Sequence, residues 1–177
     1  MIRKNIKEKI MEYFFIYPTA RLRVREIERI LELPVPSVIR YCKELEEDGI
    51  LNKVKTGSVS FYTSDRTNEK FLREKRSFNI RQLSEKGILQ HLKIEFHNPI
   101  IVIFGSYSKG EDVENSDIDI YVETPSKKEI DLAKFEKALK RKVHLFKYKS
   151  LSEIKNPNLS NNIINGIVLN GFVEVFK

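Results

Sequence analysis

Over the first third of the chain, apolar residues recur three and four positions apart. In NIKEKIMEYFFIY they fall at Ile6, Ile10 and Phe14, which predicts a helix that Pro18 closes. VREIERILEL sets Val24, Ile27, Ile30 and Leu31 on one side of a second helix. A third is expected to open at about Pro36 and Ser37, with Val38, Cys42 and Leu45 as its apolar stripe and Gly49 as its stop. The period then drops to two. ILNKVKT and SVSFYTS, on either side of Gly57, predict a hairpin. Residues 66–97 are helical in composition, with breaks expected near Ser77 and Asn79 and at Gly87. Leu83, Ile88, Leu89 and Leu92 supply their apolar side, while Arg73, Lys75, Arg76 and Arg81 supply a basic one. Beyond residue 98 strand and helix alternate. PIIVIFG, DIDIYVE, KVHLFKY and FVEVF predict four strands. A helix in KKEIDLAKFEKALKRK is opened by a Ser126 and Glu129 capping box, with Ile130, Ala133, Phe135 and Leu139 inward, and SNNIINGIVL predicts another. The expected architecture is α/β (α+β) with two domains: a helix-turn-helix with a hairpin over 1–65, connecting helices over 66–97, and a mixed-sheet domain over 98–177.

Composition changes this picture only in part. A hydrophobic share of 41% suits a globular chain, and a formal charge of +7 with a pI near 9.4 points to an anionic partner. The excess is central: residues 66–97 hold eight Lys and Arg against four Asp and Glu, whereas residues 98–177 hold twelve against eleven. The longest apolar runs, YFFIY and IIVIF, fall far short of the roughly 20 residues of a membrane span. One cysteine, Cys42, excludes an internal disulfide, and no charged-then-apolar leader opens the sequence, so a cytoplasmic location is expected.

The chemistry concentrates in FGSYSKGEDVENSDIDIYVE. Alternation places Asp117 and Asp119 on one face of a strand, about 7 Å apart along it, with Ile118, Ile120 and Val122 on the other. Two such carboxylates repel one another unless a cation sits between them. His91 and His97 lack partners at metal-ligand spacing and are expected to be structural or surface residues.

Gly105-Ser106 after a buried strand, followed by Asp117-x-Asp119 on the next, resembles the signature of the nucleotidyltransferase fold shared by DNA polymerase β and its relatives, and the surrounding GEDVENSDIDIYVE resembles its minimal prokaryotic members. The resemblance implies that Gly105, Ser106 and Lys109 contact the triphosphate of ATP or another NTP. It also implies that Asp117 and Asp119 hold Mg²⁺ or Mn²⁺. A third carboxylate normally follows on a later strand, but here the strand reads Lys142-Val143-His144-Leu145, so His144 stands in its place. Imidazole is a poor ligand for Mg²⁺, suits Mn²⁺ or Zn²⁺ better, and can serve as a base. Of the other acids, Glu123 lies roughly 13 Å along the strand from Asp119, too far to complete the set unless the strand bends, and Glu174 on the last expected strand stays open as a third acid. The activity implied is transfer of a nucleoside monophosphate, AMP by resemblance, to a hydroxyl of an unidentified acceptor. A tyrosine or another hydroxyl of a separate partner protein, such as a toxin, is the acceptor that the resemblance favours. The N-terminal third resembles a winged helix-turn-helix, which implies that Ser37, Arg40 and Lys43 on the third helix and Lys53 and Lys55 on the wing contact duplex DNA, often as a homodimer. The alternative is a regulator whose degenerate transferase domain only binds nucleotide or a partner protein.

Overall fold

The computed structural model describes residues 5–174 and divides the chain into two compact units, Met1–Phe78 and Asn79–Lys177. In the first, α1 (Ile6–Ile16) starts on a reciprocal cap: the Asn5 side chain accepts from the Lys7 N–H and Glu8 accepts from the Asn5 N–H. The pair β1 (Arg21–Leu22) and α2 (Val24–Leu31) follows, then α3 (Val35–Glu47), which ends against Gly49. The strands β2 (Leu51–Thr56) and β3 (Val59–Ser64) form the expected hairpin, in register from Leu51↔Ser64 to Thr56↔Val59. The short β1 adds to the other edge of β3, giving the antiparallel order β1-β3-β2. Ile10, Phe14, Ile27, Val38, Cys42 and Leu45 meet in the core. Ile30, expected to face inward, is instead 48% exposed.

Cys42 is fully buried on the inner stripe of α3, and burial pushes its thiol up to about 12. A thiol so disfavoured as thiolate is a packing group. Folded protein is expected to resist a thiol reagent such as iodoacetamide at neutral pH and to react once unfolded in urea, which mass spectrometry reads directly; rapid labelling of native protein would contradict this burial.

The division between units falls within α4 (Glu69–Glu85). No break occurs at Ser77 or Asn79, contrary to expectation, because both polar side chains are satisfied without leaving the helix. The Ser77 hydroxyl donates to the Arg73 carbonyl one turn back, and the buried Asn79 amide donates to the Tyr107 carbonyl and to Asp112. The break at Gly87 does occur, before α5 (Ile88–Glu95).

The second unit is built on a mixed sheet, β6-β5-β4-β7. Its strands are β4 (Ile100–Phe104), β5 (Ile118–Glu123), β6 (Val143–Tyr148) and β7 (Ile167–Asn170). β5 runs antiparallel to β4 and parallel to β6, and β7 runs antiparallel to β4. Between them lie α6 (Gly105–Lys109), α7 (Ala133–Leu139) and α8 (Pro157–Ile164). Period-two alternation gives the sheet two apolar faces. Ile101, Ile103, Ile118, Ile120 and Val122 pack with residues of α4, α5 and α7. Val102, Phe104 and Tyr121 pack with Leu151, Ile154 and Ile163.

Three local expectations are corrected here. Ser126 does not open a helix at residue 127; its hydroxyl instead accepts the Lys128 N–H in a tight turn, and α7 starts at Ala133. Leu132 is buried in place of Ala133, which is exposed. The last helix opens earlier, at Pro157, because the Asn156 side chain accepts from the N–H groups of Asn158 and Leu159. It also stops earlier, since Gly166 lies so close to β4 that a Cβ there would sit 2.5 Å from the Ile103 carbonyl oxygen. The following IVLN becomes β7, and Phe172–Glu174 form no strand; Val175 and Phe176, the end of the expected last strand, lie outside the described residues.

Candidate active site

Strand β4 ends at Phe104, and the chain turns at once into α6 through Gly105, whose φ is +71°. The need for glycine is double. That φ is costly for any other residue, and a Cβ at this position would lie 2.5 Å from Oδ2 of Asp119. The backbone at 105 and the Asp119 carboxylate are therefore in close approach, as the Phe104↔Asp119 register requires. The Ser108 hydroxyl donates to the Gly105 carbonyl at 2.8 Å and holds the turn. Ser106 is half-buried in the first turn of α6, where backbone N–H groups have no helical partner, and Lys109 is exposed in its last turn.

On its other side Asp119 is in parallel register with His144 of β6, and His144 Nδ1 lies 3.8 Å from Asp119 Oδ1. The His144 side chain is 68% exposed, and its ring rests against Phe146 with centroids 5.1 Å apart. Burial pushes the Asp119 carboxyl above the ordinary aspartate range; His144 pulls it down and the charge of Asp117 pushes it further up. Asp117 itself stands one residue before β5 and is exposed. It lines a hollow of about 540 Å³ together with residues of α7 and of the turn into β6. The two acids are thus close enough to repel, yet only Asp119 faces Gly105 and His144.

The raised Asp119 value has a consequence for stability. The folded state binds its proton more tightly than the unfolded chain does, so this group withdraws stability as pH rises from the ordinary carboxylate range through the higher folded value, and withdraws none below that range. Asp119→Asn is therefore expected to raise the melting temperature at neutral pH without divalent metal, and to leave it unchanged at pH well below the ordinary range. Thermal unfolding at both pH values reads the difference; a melting temperature that falls at neutral pH would contradict it.

Residues that sequence reasoning missed hold the site from beneath. Asp112, in the loop between α6 and β5, is paired with Arg141 at 3.4 Å, and their side chains are 1% and 4% exposed. Asn79 donates to the same carboxylate at 2.8 Å and to the Tyr107 carbonyl at 2.9 Å. Next to Arg141, the Lys142 carbonyl accepts the Ile118 N–H at 2.8 Å. The signal was slight, a lone acid and a lone arginine among many surface charges. Neither of the other acids completes the set: Glu123 accepts the Tyr121 hydroxyl at 2.7 Å at the opposite end of β5 and, with Glu174, lines a different hollow. Among the described residues no three His, Cys, Asp or Glu side chains are gathered into a metal cage. The two carboxylates nevertheless fit Mg²⁺ or Mn²⁺, since such an ion is commonly held through one or two carboxylates with phosphate oxygens and water completing its shell.

In the first unit Ser37, Arg40 and Lys43 lie along α3, and Lys53 and Lys55 are exposed on β2. Arg40 is drawn to Glu44 at 2.9 Å and Lys43 to Glu47 at 3.7 Å, pairs that an incoming phosphate would have to displace. Arg21 on β1, stacked 4.4 Å over Phe61 and bonded to the Thr56 hydroxyl, adds a cation near the hairpin turn that the sequence pattern did not single out. His91 lies beside Phe135 and Glu95, and His97 is exposed, so both have the structural or surface settings expected of them.

Residues 85–170 match the model of the nucleotidyltransferase domain family. This segment contains α5, all four strands of the mixed sheet and the Gly105, Asp119 and His144 cluster, and the mixed four-stranded sheet fits that fold. No curated protein and no solved structure matches the chain. Among the described residues no helix is long and apolar enough to cross a membrane.

Proposed function

We propose that the C-terminal unit transfers a nucleoside monophosphate from an NTP, AMP from ATP by resemblance, to an acceptor hydroxyl. The observation that carries this reading is the convergence of Gly105, Asp119 and His144, drawn from three separate strands or strand ends, within a segment that matches the nucleotidyltransferase domain. The open backbone at Gly105, the Ser106 hydroxyl and N–H, and Lys109 bind the triphosphate tail. Asp117 and Asp119 hold the divalent cation, which supplies neutralisation of charge on the phosphates when bound. The acceptor oxygen forms a bond to the α-phosphorus, the bond from that phosphorus to the bridging oxygen breaks, and pyrophosphate departs with the electron pair. His144, beside Asp119 and open to solvent, takes the hydroxyl proton.

Incubation with labelled ATP and Mg²⁺ or Mn²⁺, with and without EDTA, tests this: metal-dependent release of pyrophosphate is expected, and its absence under every metal would overturn the reading. His144→Asp adds a third oxygen ligand. It is expected to raise the ratio of Mg²⁺-supported to Mn²⁺-supported turnover on the order of tenfold. Identical metal preferences for His144→Asp, His144→Ala and wild type would remove His144 from the site.

For the N-terminal unit, the order β1-β3-β2 with α3 and the exposed hairpin lysines supports a winged helix-turn-helix that contacts duplex DNA through Ser37, Arg40, Lys43, Lys53 and Lys55. The matching experiment is retardation of duplex DNA that weakens as salt rises.

A further inference from the structure

A second hollow, of about 640 Å³, lies at the other end of the mixed sheet, where β5 ends and β4 begins. Alternation along β5 gives Asp119, Tyr121 and Glu123 one face, and roughly 13 Å of strand separates the first from the last. Tyr121 packs with Leu151 and Ile154, which covers the middle of that face, and the hollow opens beyond it. Its size falls within the range of about 300–1,000 Å³ typical of small-molecule sites. Ile100, Leu151 and Ile154 give it apolar walls, and Ile164 and Phe172 line it while 43% and 68% exposed. The charge in its lining is of one sign. Glu123 and Glu174 line it, and among the described residues that do so there is no Lys, Arg or His, in a chain of net charge +7. Glu123 is held in place by the buried Tyr121 hydroxyl, which donates to it at 2.7 Å. That phenol is pushed far up by burial, by this hydrogen bond and by the charges of Glu123 and Glu153, so a third acid adds to the negative field here. Three hydroxyls complete the lining. Ser150 and Ser152 lie 2.8 Å apart, and Ser160 donates to the Asn156 carbonyl, which leaves the lone pairs of its own oxygen to accept.

We infer that this hollow binds an organic dication with an unbranched aliphatic body, a linear diamine being its simplest form. The two carboxylates meet the ammonium groups in charge-assisted hydrogen bonds, and the serine oxygens accept further N–H groups. The methylene groups between the charges lie against Ile100, Leu151 and Ile154, where their burial adds to the attraction. A bare metal ion suits the hollow less well, since the apolar walls offer it no oxygen. An anionic nucleotide is repelled by the same two acids that attract a diamine. The site is separate from the Gly105, Asp119 and His144 cluster, and it does not depend on the transferase reading.

The test is calorimetric titration of the full chain with hexamethylenediamine at neutral pH. Wild type is expected to bind it with an affinity that falls as salt rises. Hexanediol, the same carbon chain without charge, is expected not to bind. Tetramethylenediamine is expected to bind about tenfold more weakly, because two fewer methylene groups are buried. Glu123→Gln with Glu174→Gln is expected to lose at least about tenfold in affinity for the longer diamine. The glutamine at 123 keeps an oxygen to accept the Tyr121 hydroxyl, so the fold is retained. A charge-matched pair elsewhere on the same unit, Glu85→Gln with Glu129→Gln, is expected to bind as wild type does, since both residues are exposed and lie outside the hollow. Asp117→Ala is likewise expected to bind the diamine as wild type does, which separates this hollow from the carboxylates at the other end of the sheet. Absence of binding by wild type, equal affinity for the two diamines or for hexanediol, equal losses in the two acid pairs, or a loss on Asp117→Ala overturns the inference. A lysine-containing aliphatic peptide that binds more tightly than the diamine, and is weakened by the Glu123 and Glu174 pair alone, makes the hollow a protein docking site and overturns the diamine assignment.

Discussion

Asp117→Ala is expected to lower metal-dependent pyrophosphate release on the order of 10²- to 10³-fold, the scale of removing one preorganised charge-stabilising group. Its stability is expected to stay within about 0.5 kcal/mol of wild type, because the side chain is exposed and lies outside the strand ladder. Gly105→Ala reaches a similar loss by another route. The added methyl would need the space 2.5 Å from Asp119 Oδ2, and the backbone at φ +71° resists any side chain by about 1–2 kcal/mol. The carboxylate or the turn must shift, and a displacement of about 1 Å at a reacting centre is worth on the order of 10²-fold. The two variants differ in stability: only Gly105→Ala should shift the urea midpoint. Steady-state release of labelled pyrophosphate and urea denaturation together separate the routes. Undiminished release by Asp117→Ala would leave the transferase assignment without its metal site.

The largest stability effect is expected at a residue that touches no substrate. Asp112→Ala removes the paired carboxylate from a guanidinium whose side chain is 4% exposed, and breaking a buried ion pair in this way costs about 3–5 kcal/mol. The Asn79 amide loses one of its two acceptors at the same time. Arg141 immediately precedes the Lys142 carbonyl that accepts the Ile118 N–H, so loosening it frees the entry to both β5 and β6. Turnover should fall with stability. Asp112→Ala combined with Arg141→Met is expected to cost less than the sum of the two single changes, since the double change removes both charges of this pair. Urea unfolding of the single and double variants is the measurement. A single-variant loss below about 1 kcal/mol would show that Asp112 and Arg141 are not the anchor described here.

Much of this was legible along the chain. Three strands of the mixed sheet, β4, β5 and β6, stand where their apolar alternation put them, as do α1, α3 and the hairpin about Gly57. The failures share a cause. Ser77 and Asn79 read as helix breakers because serine and asparagine compete locally for backbone hydrogen bonds, but Asn79 spends its amide on Tyr107 and Asp112, residues remote in sequence. Ser126 and Glu129 have the spacing of a capping box, yet the Glu129 carboxylate meets Lys147 of β6 at 2.8 Å instead. The run from Ile163 to Leu169 read as one helix, although Gly166 must pass within contact of β4.

Local period thus determined which segments become strands and helices, and also that a Gly-Ser turn and an Asp-x-Asp strand lie near one another in the chain, because side-chain alternation and turn chemistry act over a few residues. Only the tertiary structure decided that the Asp119 carboxylate takes the space a Cβ at Gly105 would need, that parallel pairing of β5 with β6 sets His144 beside it, and that Asp117 opens instead onto a hollow lined by the α6–β5 loop and α7. Register and buried charge pairing are settled by burial summed over segments far apart in sequence, a quantity no local pattern contains.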